Sequence, residues 1–286
     1  MKPPRAVAVL SHARPGETDD ALRHLIALAH RAEMVVRLDA QEAAKHPTIA
    51  PGPGVELVEA FSDDVDLAIA LGGDGTILRA LREFAGTSIP VFGVNFGEIG
   101  FLSTVDRDEA PAAFERALAG DFETLTLPAI ALEHDGAARI AVNDIAITRK
   151  VGERVADLAY AVSGEEVGSV RCDGLVVATP AGSTGYNLAN GGPVMAWGVE
   201  GFVVSFIAPH SLTARALVVA PGDLLTVHNR SESAVDVAFD GRPAAEIPPG
   251  GTITAGFVRE ATDLALLPGS SFYRRLREKF GRLASS

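Results

Sequence analysis

A short glycine-rich segment constrains this chain more than any other. The apolar run from Val65 to Leu71 leads directly into Gly72-Gly73-Asp74-Gly75-Thr76, and a helical pattern begins at Ile77. This order predicts a buried strand, a tight turn and the N-terminus of a helix. Glycines let the backbone approach a ligand closely, and the unpaired N–H groups of a helix's first turn favour an anion. The segment therefore predicts a place where an anionic ligand meets the backbone.

Asp74 is the acidic residue in this turn. A carboxylate repels phosphate, so we expect it to take a proton from a hydroxyl group or to reach a metal ion. The alternative is structural, because an Asp at this place can N-cap the helix that follows. The motif by itself leaves both interpretations open.

Apolar runs alternate with helical patterns through the first 120 residues. Helices are predicted after Thr18 and from about 108 to 118, and strands at 6–10, 34–38, 67–71 and 90–94. Residues 46–54 contain three prolines and two glycines and are predicted to form a loop. Continuous apolar strands alternating with helices predict a parallel sheet covered on both faces, so we expect a Rossmann-like α/β domain over residues 1–120. Ligands of such sheets bind beyond the carboxyl ends of the strands.

The pattern changes after Gly120. Short strand-like runs follow at 123–133, 138–148, 155–162, 167–172, 175–179, 202–207, 216–219, 224–228, 235–239 and 252–257. Many short strands separated by Gly and Pro turns predict a β-sandwich-type domain over residues 121–267. Residues 268–286 contain an amphipathic helical pattern, which we expect to pack back on the first domain.

Two polar segments interrupt the apolar runs of the second half. Asn143-Asp144 lies within the run 138–148, where burying an amide and a carboxylate is costly without partners. The pair offers donors and acceptors for ribose hydroxyls or an adenine edge, and a bulge or strand-end turn is the alternative. The second segment, Thr179 to Pro193, is rich in Gly, Ser and Thr and follows an apolar run. It favours a nucleotide-binding loop over a plain Ser/Gly connection.

Composition argues against several other classes of protein. The net charge of −12 argues against nucleic acid or an anionic membrane surface as a partner. No apolar run approaches the ~20 residues that span a bilayer, and the one after Arg5 is too short for a secretory leader. The single cysteine, Cys172, fits a reducing compartment, so we expect a cytoplasmic protein. The chain shows no zinc-ligand spacing, no phosphate-loop motif and no dinucleotide-binding fingerprint after the first strand, which weakens an oxidoreductase interpretation.

Taken in order, the motifs closely resemble those of the NAD kinase family, from about residue 66 to the C-terminus. The matching segments are Gly72–Thr76, Gly93–Leu102, Asn143-Asp144, Asp173-Gly174, Thr179–Tyr186, Gly191–Pro193 and Asp240-Gly241. Diacylglycerol and sphingosine kinases share the first segment but not the second or the Thr179–Tyr186 loop. The set therefore favours the NAD kinases within this superfamily.

The resemblance implies roles for individual residues. Asp74 is expected to be the general base for the 2′-hydroxyl of the adenosine ribose of NAD, with Gly75 and Arg79 at the phosphates. Asn143 and Asp144 are expected at the substrate ribose and adenine. Further nucleotide contacts are implied for Arg154, Arg171, Asp173, Thr184, Gly185, Tyr186, Asn187, Leu188, Ala189, Ala208 and Arg242.

Three positions depart from the family's usual pattern. Ala181 stands where Thr is common, Gly185 where Ala is usual, and Ala189 where Ser is frequent. Losing one neutral hydrogen bond is worth about 0.5–1.5 kcal/mol, so we expect a raised KM with activity retained.

The resulting hypothesis is a kinase that transfers a phosphoryl group from ATP or inorganic polyphosphate to NAD and yields NADP. Phosphoryl transfer depends on positioning and charge stabilisation, and Mg²⁺ is expected with the donor because there is no phosphate-loop lysine. No metal ligand is predicted among the side chains. A lipid or sphingoid kinase is one alternative, disfavoured by the lack of an apolar membrane-contacting helix and a basic patch. A non-catalytic NAD(P) sensor is the other, and it would not need Asp74. The resemblance also implies a homodimer or homotetramer.

Overall fold

The computed structural model describes residues 3–97, 100–134 and 137–284. The helices are α1 (Asp19–Arg31), α2 (Ala40–Lys45), α3 (Asp74–Glu83), α4 (Ala110–Leu118), α5 (Tyr186–Ala189) and α6 (Phe272–Ala284). The strands are β1 (Ala6–Ser11), β2 (Val35–Asp39), β3 (Val55–Val58), β4 (Leu67–Leu71), β5 (Pro90–Asn95), β6 (Val105–Asp106), β7 (Glu123–His134), β8 (Ala137–Ala141), β9 (Asp144–Arg149), β10 (Ala156–Val162), β11 (Glu165–Cys172), β12 (Gly174–Ala178), β13 (Phe202–Ile207), β14 (Leu217–Val219), β15 (Leu225–Asn229), β16 (Val235–Phe239), β17 (Arg242–Ile247) and β18 (Thr252–Leu266). The chain forms two compact units. The N-terminal unit is Met1–Thr126 with Thr262–Ser286, and the β unit is Leu127–Ala261.

Seven strands of the N-terminal unit pair in parallel. Their order is β18-β5-β4-β1-β2-β3, and β6 pairs with the end of β5. The register places Ala8 beside Ala68 and Ala70 beside Gly93. The carboxyl ends of β1, β4 and β5 are neighbours, so the segments that follow these three strands meet at one edge of the sheet. The predicted parallel α/β domain is confirmed.

The two faces of this sheet differ in side-chain size. On one face, Val9, Ile69 and Phe92 pack in a single buried cluster with residues of α1 and α4, including Leu25 and Phe114. Successive side chains of a strand point to opposite faces, so the alanines of β1 and β4 and Gly93 face the other way. There α3 packs so closely that a Cβ on Gly93 would meet Ile77 Cδ1 at 2.6 Å. Small residues therefore allow α3, the helix that follows the glycine-rich turn, to lie directly on the sheet.

The C-terminal helix belongs to the N-terminal unit, as expected. The rings of Phe101 and Phe280 are 5.8 Å apart, and Arg275 donates to the backbone carbonyls of Phe101 and Ser103. Both a polar and an apolar contact therefore fix α6 against the segment that follows β5. None of the helices in the described ranges has the length and apolar content that crossing a bilayer needs.

Two antiparallel sheets build the β unit. One has the order β14-β13-β12-β9-β16-β17, and the other runs β11-β10-β15-β18, with β7 pairing with β18 and β8. Their facing side chains form one core, to which Ile147 and Val177 contribute from the first sheet and Leu158 and Val227 from the second. The first sheet is also covered on its outer face, where Val176 packs with Met195. Burial on both faces explains why β12 is continuously apolar, and the β-sandwich-type prediction is confirmed.

Several elements differ from the sequence prediction. β3, α2 and β6 were not predicted, because each is short and lacks an apolar period of its own. The run 138–148 is two strands, since β8 ends at Ala141 and β9 begins at Asp144. β17 was missed because it is an exposed strand that contains Pro243, and β18 extends nine residues beyond the predicted end at 257.

Candidate active site

The turn after β4 is built by glycine at two positions for different reasons. A Cβ on Gly72 would meet Thr76 Oγ1 at 2.3 Å, so only glycine fits there. Gly73 is the N-cap residue of α3, with extended backbone angles and no side-chain cap. Asp74 is the first residue inside the helix. The interpretation in which Asp74 N-caps α3 is therefore wrong.

The Asp74 carboxylate instead holds a neighbouring loop. Its Oδ2 accepts a hydrogen bond from the Phe101 amide at 2.8 Å, and its Oδ1 accepts one from the Leu102 amide at 3.0 Å. Burial raises the pKa of Asp74, and the two amides and the positive charges of Arg275 and Lys279 offset part of that effect. A carboxylate with a raised pKa is a stronger base than an ordinary one, which is what proton abstraction requires.

Arg275 and Lys279 were missed by the sequence analysis. They lie on α6, where the sequence showed only an amphipathic pattern and assigned no role to its charged residues. Arg275 is in fact 9% exposed, and burial lowers its pKa. Adjacent arginines at 274–275 were the only local signal.

A cavity of about 450 Å³ opens at the carboxyl ends of β1, β4 and β5. The backbone of Gly73 and Gly75 forms part of its wall, with Phe96 and Gly97 beyond β5. Arg79, one turn into α3, lines it too, and its Nη2 donates to Ser11 O at 2.9 Å and to Glu42 Oε1 at 2.5 Å. The structure thus brings Gly75 and Arg79 to the same cavity. Glu98 and Ile99, which belong to the Gly93–Leu102 motif, lie outside the described residues.

In the β unit, Asn143 and Asp144 sit at the break between β8 and β9. The carboxylate of Asp240 accepts hydrogen bonds from the backbone amides of Val142 at 3.2 Å, Asn143 at 2.7 Å and Asp144 at 3.2 Å. These bonds hold the backbone in a turn between the two strands, and the turn leaves the predicted nucleotide contact of Asn143 and Asp144 open. Burial, and then the charge of Asp240, raise the pKa of Asp144 to about 7.

The side chain of Asn143 contains a buried acceptor atom that no described residue satisfies. Its Oδ1 is buried and accepts no hydrogen bond within the part of the chain that the structure describes. A buried acceptor without a partner costs about 1–3 kcal/mol. A ligand hydroxyl or amino group would remove that cost.

The glycine-rich loop after β12 contacts the break between β8 and β9. Thr179 Oγ1 donates to Val142 O at 2.7 Å, and a Cβ on Gly182 would meet Asn143 O at 2.0 Å. Along the loop, Thr184 and Leu188 are half-buried, and Gly185, Tyr186 and Ala189 are exposed. Asn187 differs because it is fully buried and donates to Ser183 O and Pro193 O, so its amide holds the loop together.

The remaining predicted residues fall into separate places on the β unit. Asp173 and Tyr186 line one cavity of about 360 Å³, where Arg149 donates to Asp173 Oδ1 at 2.6 Å. Arg154 and Arg171 line another, of about 390 Å³, whose lining residues do not overlap with those of the first. Ala208 and Arg242 are exposed, at the end of β13 and the start of β17.

Comparisons with known proteins fit this arrangement. The sequence model of the ATP-NAD kinase N-terminal domain matches residues 24–122, and that of the C-terminal domain matches residues 142–262. The chain is 36% identical over 260 residues to the NAD kinase of Symbiobacterium thermophilum, covering 86% of this chain and 92% of that one. The chain belongs to the NAD kinase family. The enzyme class predicted from the motifs, a kinase that phosphorylates NAD to NADP, is thereby confirmed.

A further relative and two solved structures are also similar to this chain. The NAD kinase of Gemmatimonas aurantiaca is 36% identical over 225 residues, which cover 76% of this chain and 78% of that one. An NAD kinase from Archaeoglobus fulgidus, solved in complex with ATP, superposes with a TM-score of 0.71 at 26% identity. The match covers 98% of this chain and 99% of that one. Yeast NADH kinase, solved with NADH, shares the fold with a TM-score of 0.86 at 24% identity, over 98% of this chain and 89% of its own.

Proposed function

We propose that Asp74 is the general base of this NAD kinase and receives the proton of the 2′-hydroxyl of the adenosine ribose. The observation that carries the proposal is the position of its carboxylate, fixed by the amides of Phe101 and Leu102 at the start of α3. Each of its oxygens accepts one of these bonds and has a further lone pair for a substrate hydroxyl. A base held this way loses little orientational freedom when the substrate arrives.

The substrate contacts are assigned to the β unit. The unpartnered Asn143 Oδ1 is suited to accept a hydrogen bond from ribose or adenine. Asp144 and the exposed loop residues Gly185 and Tyr186 are proposed to contribute further nucleotide contacts, with Asp173 in the cavity that Tyr186 also lines. Asn187 is proposed to act through the loop, because its Nδ2 donates to Ser183 O and Pro193 O. Its buried Oδ1 accepts no hydrogen bond among the described residues. Arg154, Arg171, Ala208 and Arg242 stay predictions on the family pattern alone.

The phosphoryl donor is proposed to be ATP or inorganic polyphosphate with Mg²⁺. Within the described ranges no three His, Cys, Asp or Glu side chains form a group that could hold a metal ion, and the cavity beside α3 is lined by Arg14, Lys45 and Arg79. Mg²⁺ is commonly bound through substrate phosphates and one or two carboxylates, so it is proposed to arrive with the donor. Bound there, it neutralises charge on the phosphates; the residues of this chain bind the donor and position the base.

The test is NADP formation by the purified chain with NAD, Mg²⁺ and either ATP or polyphosphate. NADP from at least one donor is expected, and a donor swap identifies which. Phosphorylation of diacylglycerol or sphingosine without NADP formation would support the lipid kinase alternative. NAD binding without turnover of either donor would support the non-catalytic sensor alternative.

The oligomeric state and the cellular location are proposed as well. A homodimer or homotetramer is proposed from the family resemblance, and light scattering after gel filtration measures it. A cytoplasmic location is proposed from the single cysteine, Cys172, which is a buried free thiol.

A further inference from the structure

The N-terminal unit contains a buried polar network that holds two of the cations lining the proposed donor cavity. Its centre is Glu42, whose side chain is 0% exposed. Glu42 Oε2 accepts from the amide and hydroxyl of Ser11 at 2.9 and 2.6 Å. Glu42 Oε1 accepts from Lys45 Nζ at 2.7 Å and Arg79 Nη2 at 2.5 Å. Burial raises the pKa of Glu42, but its hydrogen-bond donors and the two cations outweigh burial and lower it overall.

The network continues behind Ser11, whose hydroxyl lies within hydrogen-bond distance of two side chains. Ser11 Oγ lies 2.8 Å from His46 Nε2, and His46 Nδ1 lies 2.5 Å from Asp19 Oδ1. The order resembles a hydrolase triad, but the Ser11 hydroxyl donates to Glu42, and Ser11 and His46 are 2% and 0% exposed. Ser11 is thus a structural support for Glu42 and not a nucleophile.

The two cations that Glu42 holds face the cavity at the carboxyl ends of β1 and β4. Lys45 and Arg79 are 21% and 22% exposed and both line it. Both also donate to the same backbone acceptor, Ser11 O, at 3.0 and 2.9 Å. Arg14 lies at the rim, 75% exposed, where it pairs with Glu17 at 3.1 Å. Two fixed cations against one carboxylate leave a net positive charge inside the cavity.

The cost of this arrangement argues for a function. A buried ion pair often contributes no more to stability than apolar residues of similar volume would. Here one buried carboxylate holds two partly exposed cations beside the backbone of Gly73 and Gly75, where ligands of parallel sheets bind. Lys and Arg form short, charge-assisted hydrogen bonds with phosphate oxygens.

We propose that Glu42 is a positioning residue that fixes Lys45 and Arg79 to bind a linear polyphosphate, the phosphate chain shared by a nucleoside triphosphate and inorganic polyphosphate. The inference rests on the proposed function only for calling this ligand the phosphoryl donor. Binding itself is independent of catalysis and can be measured without NAD.

The first experiment titrates inorganic tripolyphosphate into the whole chain by calorimetry, without NAD. The wild type is expected to bind, and Lys45→Met to weaken binding about tenfold or more, since one charge-assisted contact is lost. Lys45→Met leaves Glu42 paired with Arg79 and Ser11, so the network keeps most of its partners. Arg116→Met is the matched control: Arg116 is another partly exposed cation of the N-terminal unit, paired with Asp121 at 2.6 Å. It should leave the Kd within twofold.

The second experiment separates positioning from stability by kinetics. Glu42→Gln is expected to raise the KM for the donor about tenfold and to leave the KM for NAD within twofold. A merely structural role would instead lower kcat by reducing the folded fraction, with both KM values unchanged. Running ATP and polyphosphate in parallel shows which donor uses the cations, and a shift with either supports the site. If Glu42→Gln does not fold, Lys45→Met carries the same comparison.

Unchanged tripolyphosphate binding and unchanged donor KM in folded Lys45→Met would overturn the proposal. So would a rise in the KM for NAD alone. If the wild type binds tripolyphosphate but makes no NADP, the proposed function fails while the site stands. If it makes NADP and Lys45→Met behaves as wild type, the site fails while the function stands.

Discussion

Replacing Asp74 by Asn separates two tasks of one side chain. The carboxylate accepts from two backbone amides, at 2.8 and 3.0 Å. Asn has one oxygen and one NH₂ group, so one amide would lose its acceptor and face a donor. A buried donor without a partner costs about 1–3 kcal/mol, so the variant should be less stable by that amount. Urea unfolding measures this structural part.

The catalytic part is expected to be larger. Loss of a general base typically lowers the rate by about 10²–10⁴, or roughly 3–5 kcal/mol at 1.36 kcal/mol per tenfold. NAD should still bind with a Kd within a few-fold of wild type, because its proposed contacts lie on other residues. Calorimetry for NAD and a kcat measurement on the same purified variant give both numbers.

The matched control for this variant is Arg275→Gln. Arg275 donates to the carbonyls of Phe101 and Ser103, so its loss loosens the same loop and keeps the carboxylate. It also removes a positive charge that lowers the pKa of Asp74, so the carboxylate becomes more basic and not less. We expect Arg275→Gln to retain far more activity than Asp74→Asn. An equal fall in kcat for the two variants would assign the effect to the loop, and near-normal kcat in Asp74→Asn would refute the base assignment.

The pH profile gives an independent check on the base. A protonated carboxyl group cannot accept the hydroxyl proton, so kcat should fall as the pH falls through the pKa of Asp74. Because burial raises that pKa, the fall should begin above the ordinary Asp pKa of about 4. In Asp74→Asn this acid limb should be absent.

Three further changes test other parts of the structure. Asn143→Ala should raise the KM for NAD roughly five- to thirtyfold, one or two hydrogen bonds at ~1 kcal/mol each, and lower kcat less; an unchanged KM would place Asn143 outside the substrate site. Cys172→Ser should keep most activity, since burial raises the pKa of the Cys172 thiol to about 11 and leaves it un-ionised at neutral pH; a several-hundredfold fall in kcat with an unchanged circular dichroism spectrum would contradict this. For Asp144, the folded state binds the proton more tightly than the unfolded chain, so its contribution to stability is full below the unfolded pKa of about 4 and is lost as the pH rises toward about 7. The free energy of unfolding should fall by roughly 4 kcal/mol over this pH range, at 1.36 kcal/mol per pKa unit. In Asp144→Asn, the free energy of unfolding measured with urea should depend less on pH over the same range.

Long apolar strands and glycine-rich turns could be predicted because their signals are local. The runs at 67–71 and 90–94 are continuous, so they indicated strands buried on both faces, and the structure buries them. The glycine requirement at Gly72 was visible as a motif. Its physical cause, contact with Thr76, needed the helix in place.

Residues joined by long-range contacts could not be predicted. Glu42 lies in a six-residue helix and resembles an ordinary surface charge, yet its partners Ser11 and Arg79 are 31 and 37 positions away. The break at Asn143 is stabilised by Asp240, 97 positions later. No periodicity or composition of the intervening chain carries that information.

At Asp74, long-range contacts decide between two roles of one side chain. From the sequence, helix capping and proton abstraction were competing explanations for one carboxylate. The structure assigns the cap to Gly73 and gives Asp74 two amide donors from a loop 27 and 28 residues away. Those donors lower the pKa of Asp74, while burial raises it by more. The two bonds that fix the carboxylate therefore lower its pKa by less than burial raises it. Asp74 thus has both properties that a general base needs, a fixed position and a raised pKa.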